Sequence, residues 1–194
     1  DRGIDLKDLV DQIRTRGIQP PLLLRFTDIL KHRIGEIAGA FNKSMTEYGY
    51  TGNYHCVYPI KVNQQRHVVE EVLHFGKEHG FGLEAGSKPE LLAVLALTNG
   101  TGETPIICNG FKDDEFIKTV VFAHKVGKNV IPVVEKFSEL ELIIRHAEQR
   151  KVEPLMFCFH GGFHLGLHFL GFSACTIARQ LHNASIVAPI NVTA

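Results

Sequence analysis

The sequence has no surplus of either charge: 21 Lys and Arg balance 21 Asp and Glu over 194 residues. A chain that worked on phosphate backbones would carry a basic surface, so nucleic-acid binding is not expected. Cysteine is scarce and scattered. Cys56, Cys108, Cys158 and Cys175 show no Cys-x-x-Cys spacing. That argues against a disulfide framework and makes a reducing, cytoplasmic compartment the default. The opening residues have no basic-plus-apolar leader, and Asp1 stands where Met would. A fragment or mature form is therefore expected, with any plastid or other targeting segment out of view. No P-loop and no Ser-His-Asp arrangement is visible. Asn42, Asn99, Asn183 and Asn191 open glycosylation-type triplets, which are chance matches without a sign of secretion. What is present is ordinary: 44% hydrophobic and 22% charged residues suit a globular domain with a core.

A second deficit is local. No Asp or Glu follows Glu153, and Arg179 is the one charged residue between Leu155 and Ala194. Residues 155–178 have no charge at all, a length that could cross a membrane. His160, Gly161, Gly162, His164, Gly166, His168 and Gly171 interrupt it, so it makes a poor span and no membrane is expected. A buried helix or hairpin, a true continuation of the domain, and a foreign tail from a frameshift, read-through or chimeric gene remain as readings. His160, His164 and His168 are four apart and would share a helical face. The intervening glycines argue against that helix, and no carboxylate lies near enough for a second shell; no metal is expected.

Two helical patterns open the chain. Asp5 reads as the N-cap of a helix with Leu6, Leu9, Val10 and Ile13 on one face, stopped by Gly17. Residues 22–24 read as a short strand, and Thr27 or Asp28 opens a helix facing inward through Leu30, Ile34, Ile37 and Phe41. From residue 54 a strand-turn-helix unit recurs. Strands are expected at 54–62, 81–84, 106–108 and 130–134, each followed by a helix. Ser87 with Glu90 and Ser138 with Glu141 read as capping boxes. Alternation of short apolar strands with helices implies a parallel sheet covered on both faces. The layout is residues 1–53 as lead-in, 54–154 as four βα units, and 155–194 as an atypical tail.

An open doubly wound sheet and a (β/α)8 barrel both fit this alternation. The open sheet usually carries a Gly-rich first turn, but Gly80, Gly82 and Gly86 lack that spacing and straddle a strand. A barrel places its chemistry at the C-terminal strand ends. There the sequence has Lys61 and Asn63, then Glu84 and Ser87, then Asn109, then Glu135. We therefore expect a partial barrel, since a whole one needs about 250 residues. Lys61 closes an apolar strand, where partial burial would lower its pKa and make its amine a nucleophile toward carbonyls. A lysine in that place also snorkels to solvent with ease.

The strand Val57-Tyr58-Pro59-Ile60-Lys61-Val62-Asn63-Gln64 resembles the lysine strand of biosynthetic arginine decarboxylases, which are pyridoxal-phosphate enzymes of the alanine-racemase-like barrel class. Gly82-Leu83-Glu84-Ala85-Gly86-Ser87-Lys88-Pro89-Glu90-Leu91 is similar to that family's second strand and turn. Cys108-Asn109-Gly110-Phe111-Lys112-Asp113 is similar to the third. Val134-Glu135-Lys136 with Ser138-Glu139-Leu140 is similar to the fourth. Tyr48-Gly49-Tyr50-Thr51-Gly52 fits the approach to the lysine strand. The likeness runs from about residue 5 to residue 154.

The resemblance implies a lyase that takes L-arginine to agmatine and carbon dioxide in polyamine and spermidine synthesis. Pyridoxal 5'-phosphate would be its cofactor, Lys61 its Schiff-base lysine, and a homo-oligomer its complete form. Glu84 matches the acidic residue near the cofactor; a strand-end carboxylate paired with Lys or Arg is the plain alternative. Asn63, Ser87 and Asn109 read as turn formers and caps. Phe163-His164-Leu165-Gly166 resembles the turn where the class stacks a His on the cofactor ring, with Leu167 in place of Ser. The family's fifth-strand arginines, phosphate loop, pyridine-nitrogen acid, substrate acid and interface cysteine have no secure counterpart. A second reading follows: a catalytically inactive, truncated homologue that pairs with or regulates a complete decarboxylase.

Overall fold

A computed structural model describes residues 3–98 and 102–152, with the backbone of 158–159 and 186–189. Helices α1 (Leu6–Thr15) and α2 (Thr27–Glu47) come first. Then β1 (Tyr54–Pro59), α3 (Arg66–Gly76), β2 (Gly82–Ala85), α4 (Lys88–Leu97), β3 (Ile106–Cys108), α5 (Asp114–Lys125), β4 (Val130–Val134) and α6 (Phe137–Arg150) alternate. The short strands β5 (Cys158–Phe159) and β6 (Ile186–Pro189) complete the sheet. Its order is β5-β4-β3-β2-β1-β6, with every pair parallel. The first five strands lie in chain order. Such a run has no reversal and hence no switch point of the doubly wound kind. It is an arc of a βα barrel.

Strand alternation sorts the side chains into two layers. Ile60, Leu83, Ala85, Ile106, Cys108, Val130 and Val134 form one core with Leu91, Val94, Phe116, Ile117, Val120, Val121, Leu140 and Ile143 of the helices. On the other face Val57, Ile107 and Ile131 form a second, smaller cluster with Val133 packed against it. Cys56 and Cys108 are buried and free, as strand residues of an apolar sheet should be. Burial pushes the Cys108 thiol up to about 12, so it behaves as a small hydrophobe.

The lead-in departs from expectation in one element. Residues 22–24 form no strand, for they pair with none of the described residues; Leu22 and Leu24 are half-buried and Leu23 is exposed. Asp5 does cap α1, accepting from the backbone N–H of Lys7 at 2.8 Å and Asp8 at 3.1 Å. Helix α2 packs through Ile34 and Ala38 on Cys56, Val72 and Phe81, and Phe41 stacks on Tyr54 with ring centres 3.7 Å apart. The cap expected at Ser138 with Glu141 is absent. Helix α6 begins at Phe137 with Lys136 as an N-cap that makes no side-chain bond, so Ser138 is already inside the first turn.

Gly82 marks the tightest approach in the sheet. A Cβ there would lie 2.3 Å from the carbonyl oxygen of Pro105, the same oxygen that accepts from Leu83 N–H at 2.9 Å. Backbone cannot move aside without breaking that bond. Gly82→Ala is expected to cost about 1–3 kcal/mol, read as a lowered denaturation midpoint. By contrast, a Cβ on Gly35 in α2 meets nothing within 4 Å, so Gly35→Ala is expected to stabilise by up to about 1 kcal/mol.

Candidate cofactor site at the strand ends

Parallel pairing brings the C-terminal ends of β1 to β4 to one rim. Strand β1 stops at Pro59, earlier than the expected residue 62, because the chain turns there: Val62 N–H donates to Pro59 O at 3.2 Å. Ile60 N–H donates to Glu84 O at 3.1 Å, which pins the turn to β2. Lys61 occupies the corner of this turn and is exposed. The partial burial expected for Lys61 is therefore not found: it has passed the end of the strand and lies outside the packed layers. Beyond it, Tyr58 Oη donates to Asn63 O at 3.3 Å, and Asn63 Oδ1 accepts from Gln65 N–H at 3.1 Å. Asn63 is thus the turn former expected of it and leads the chain into α3.

Glu84 is the opposite case. It is 4% exposed, paired in register with Pro59 on one side and Ile107 on the other. Burial raises its proton affinity above that of an ordinary carboxyl; the charge of Lys61 and a hydrogen bond from the Asn109 side chain pull it part of the way back, while Glu90 and Glu135 push it up again. Among the described residues Glu84 makes no salt bridge, so the plain ion-pair reading is not what holds it. Asn109, expected as a turn former, lies where its side chain favours the ionised form of this carboxyl. Its Oδ1 is buried and has no hydrogen-bond partner among the described residues. An amide has two donors and one acceptor oxygen, and a buried acceptor left empty at a site needs a reason.

The neighbouring turns are locked from the helices. Ser87 caps α4 by accepting from Glu90 N–H at 3.4 Å, and Glu90 Oε2 accepts from Gly86 N–H at 2.7 Å. Four residues beyond Glu135 on the fourth unit, Glu139 plays the same part, its Oε2 accepting from Glu135 N–H at 3.0 Å. Sequence reasoning missed Glu139 and its buried partner Lys112. The repeated spacing of a strand-end residue and a Glu four positions on was the available signal. His160, His164 and His168 lie outside the described residues, and among those described no group of His, Cys, Asp or Glu is placed to hold a metal. No described helix is long and apolar enough to cross a membrane.

A desolvated carboxyl, a buried amide oxygen with no partner among the described residues and an exposed amine, at the rim where a βα barrel presents its ligands, fit the aldehyde-and-ring side of a pyridoxal group. Lys61 would hold it, with Glu84 and Asn109 beside it. The class these features define is the pyridoxal-binding barrel. The chain belongs to the pyridoxal-dependent decarboxylase family, whose pyridoxal binding domain matches residues 34–160.

More particular likenesses point one way. The chain is 49% identical over 153 residues to the biosynthetic arginine decarboxylase of Rhodopirellula baltica, covering 79% of this chain and 23% of that protein. It is 53% identical over 139 residues to that of Trichlorobacter lovleyi, covering 72% and 22%. The crystal structure of the biosynthetic arginine decarboxylase SpeA from Campylobacter jejuni superposes with a TM-score of 0.72 at 40% identity, over 79% of this chain and 26% of that one. The chain spans about a quarter of the length of these relatives.

A raised carboxyl pKa has a stability consequence. The folded chain binds the Glu84 proton more tightly than the unfolded chain does, so stability falls as pH rises from the ordinary value of 4.5 toward the raised one. Glu84→Gln removes that loss. Denaturant titrations of the two proteins should diverge above about pH 4.5, with the variant gaining, and run parallel below it; curves parallel throughout would contradict the desolvation of Glu84.

Proposed function

We propose that this chain carries the lysine-bearing part of the cofactor site of an arginine decarboxylase, with the complete protein converting L-arginine to agmatine and carbon dioxide for polyamine and spermidine synthesis. The observation that carries this reading is the rim made by Lys61, Glu84 and Asn109, set in a chain about half identical to enzymes of that name. When bound, pyridoxal 5'-phosphate supplies an electron sink for the charge that remains when a carboxylate leaves an amino acid.

Each residue has a task that its surroundings explain. Lys61 stands at a pinned turn, exposed, where an aldehyde can reach its amine. Glu84 keeps a carboxylate out of water beside that amine, and its raised proton affinity lets it hold a proton at neutral pH more readily than a surface glutamate. Asn109 favours the ionised form of Glu84 and offers Oδ1 to a donor on whatever fills the rim. Substrate recognition and phosphate anchoring fall to the rest of the complete protein, which we take to be a homo-oligomer. The divisions at residues 53 and 154, and a place in the reducing cytoplasm suited to two free buried thiols, belong to the same reading.

Borohydride reduction in the presence of pyridoxal 5'-phosphate tests it. A pyridoxyl mass is expected on the peptide containing Lys61 at near-stoichiometric yield, and its loss in Lys61→Ala. Labelling spread over surface lysines would favour the second reading, an inactive relative that pairs with a complete decarboxylase.

A further inference from the structure

Two further deeply buried charges lie outside the rim made by Lys61, Glu84 and Asn109. The side chains of Lys112 and Glu139 are 0% and 2% exposed, with Nζ and Oε2 3.3 Å apart. A buried pair of this kind is a weak source of stability, because desolvation offsets much of the attraction; its best-attested use is to specify one arrangement over others. Here the arrangement is explicit. Glu139 Oε1 accepts from Lys112 N–H at 2.9 Å and Oε2 from Glu135 N–H at 3.0 Å. One carboxylate thus joins the turn after β3 to the turn after β4.

Lys112 carries the constraint onward. Its Nζ also donates to Gly110 O. Gly110 has φ +75°, and a Cβ on it would sit 2.8 Å from Gly86 O, so the turns after β2 and β3 touch through bare backbone. Between them, Asn109 N–H donates to Ala85 O at 3.0 Å, which sets Asn109 beside the end of β2, where its side chain favours the ionised form of Glu84. The path runs from the Glu139 carboxylate through the Lys112 ammonium and the Gly110 carbonyl to Asn109, next to the Glu84 carboxyl.

We infer that Glu139 and Lys112 are positioning residues, which hold the ends of β3 and β4 in the one register that aims Asn109 at Glu84. This rests on the reading of the rim as the cofactor site, but its test does not need the cofactor. Glu84 is faced by Lys61, Glu90 and Glu135 besides Asn109, and none of these is altered. The double variant Lys112→Met with Glu139→Gln removes both buried charges together, so no lone charge remains. The amide introduced at position 139 has one acceptor oxygen in place of two, so the backbone donors of Lys112 and Glu135 no longer each have their own.

Two measurements on the full chain decide it: amide exchange at positions 112 and 135, and titration of the Glu84 side-chain carboxyl by carbon NMR. In a double variant that still shows a cooperative thermal transition, both amides are expected to exchange at least roughly tenfold faster. The proton affinity of Glu84 is expected to rise roughly threefold as Asn109 shifts away from it, in the same direction as in Asn109→Ala. Unchanged exchange, or faster exchange with the Glu84 titration unmoved, would overturn the inference, the latter by leaving a mere staple between turns. Should the double variant not fold, the unmodified chain decides: slow exchange at Lys112 and Glu135 relative to Lys136 supports the lock, and equal rates sink it. Failure of pyridoxyl labelling at Lys61 bears on the cofactor reading and leaves both measurements intact.

Discussion

Parallel pairing between neighbouring strands is the constraint on which the rest of this structure depends. A parallel pair aligns the C-terminal ends of strands that are far apart in sequence, and the register from β1 to β4 runs without a break: Pro59 opposite Glu84, Glu84 opposite Ile107, Ile107 opposite Ile131. The period of two along each strand then decides which residues meet the helices and which line the inner face. Glu84 falls on the inner face by that parity, and Leu83 and Ala85, its neighbours in sequence, fall in the helix-facing core.

The inner face is small and apolar, and that is what makes the Glu84 carboxyl chemically distinct. Val57, Ile107 and Ile131 exclude water beside Glu84, so the neutral form is favoured. Lys61 and Asn109 work against this by favouring the ionised form. A group poised between opposing influences responds to small displacements of its neighbours. The backbone locks at Gly86, Asn109 and Glu135 keep such displacements small, and two of them come from the first turns of helices packed on the opposite side of the sheet. Helix packing and site geometry are therefore mechanically linked through Glu90 and Glu139.

Much of this was legible in the residues. The alternation of strands and helices, the starts of β1, β3 and β4, the cap at Asp5 and the polar strand ends follow from local pattern and short-range chemistry. Other features were not. The stretch at 22–24 has strand-like residues but no edge to pair with, and pairing is a property of the sheet. Ser138 has the chemistry of a cap, yet α6 starts one residue before it, because the turn after β4 is closed by Glu139. Asn109 looks like any turn-forming asparagine until β2 is placed beside β3.

Sequence by itself determined the family likeness, the βα order and the amine at the end of the first strand, because each is written in residues close together along the chain. Tertiary structure alone decided that Lys61 is exposed while Glu84 is buried, that Asn109 comes to the end of β2, and that Lys112 and Glu139 meet 27 positions apart. Desolvation and hydrogen bonding between turns depend on distances through space, and those are set only when the strands pair and the helices close over them.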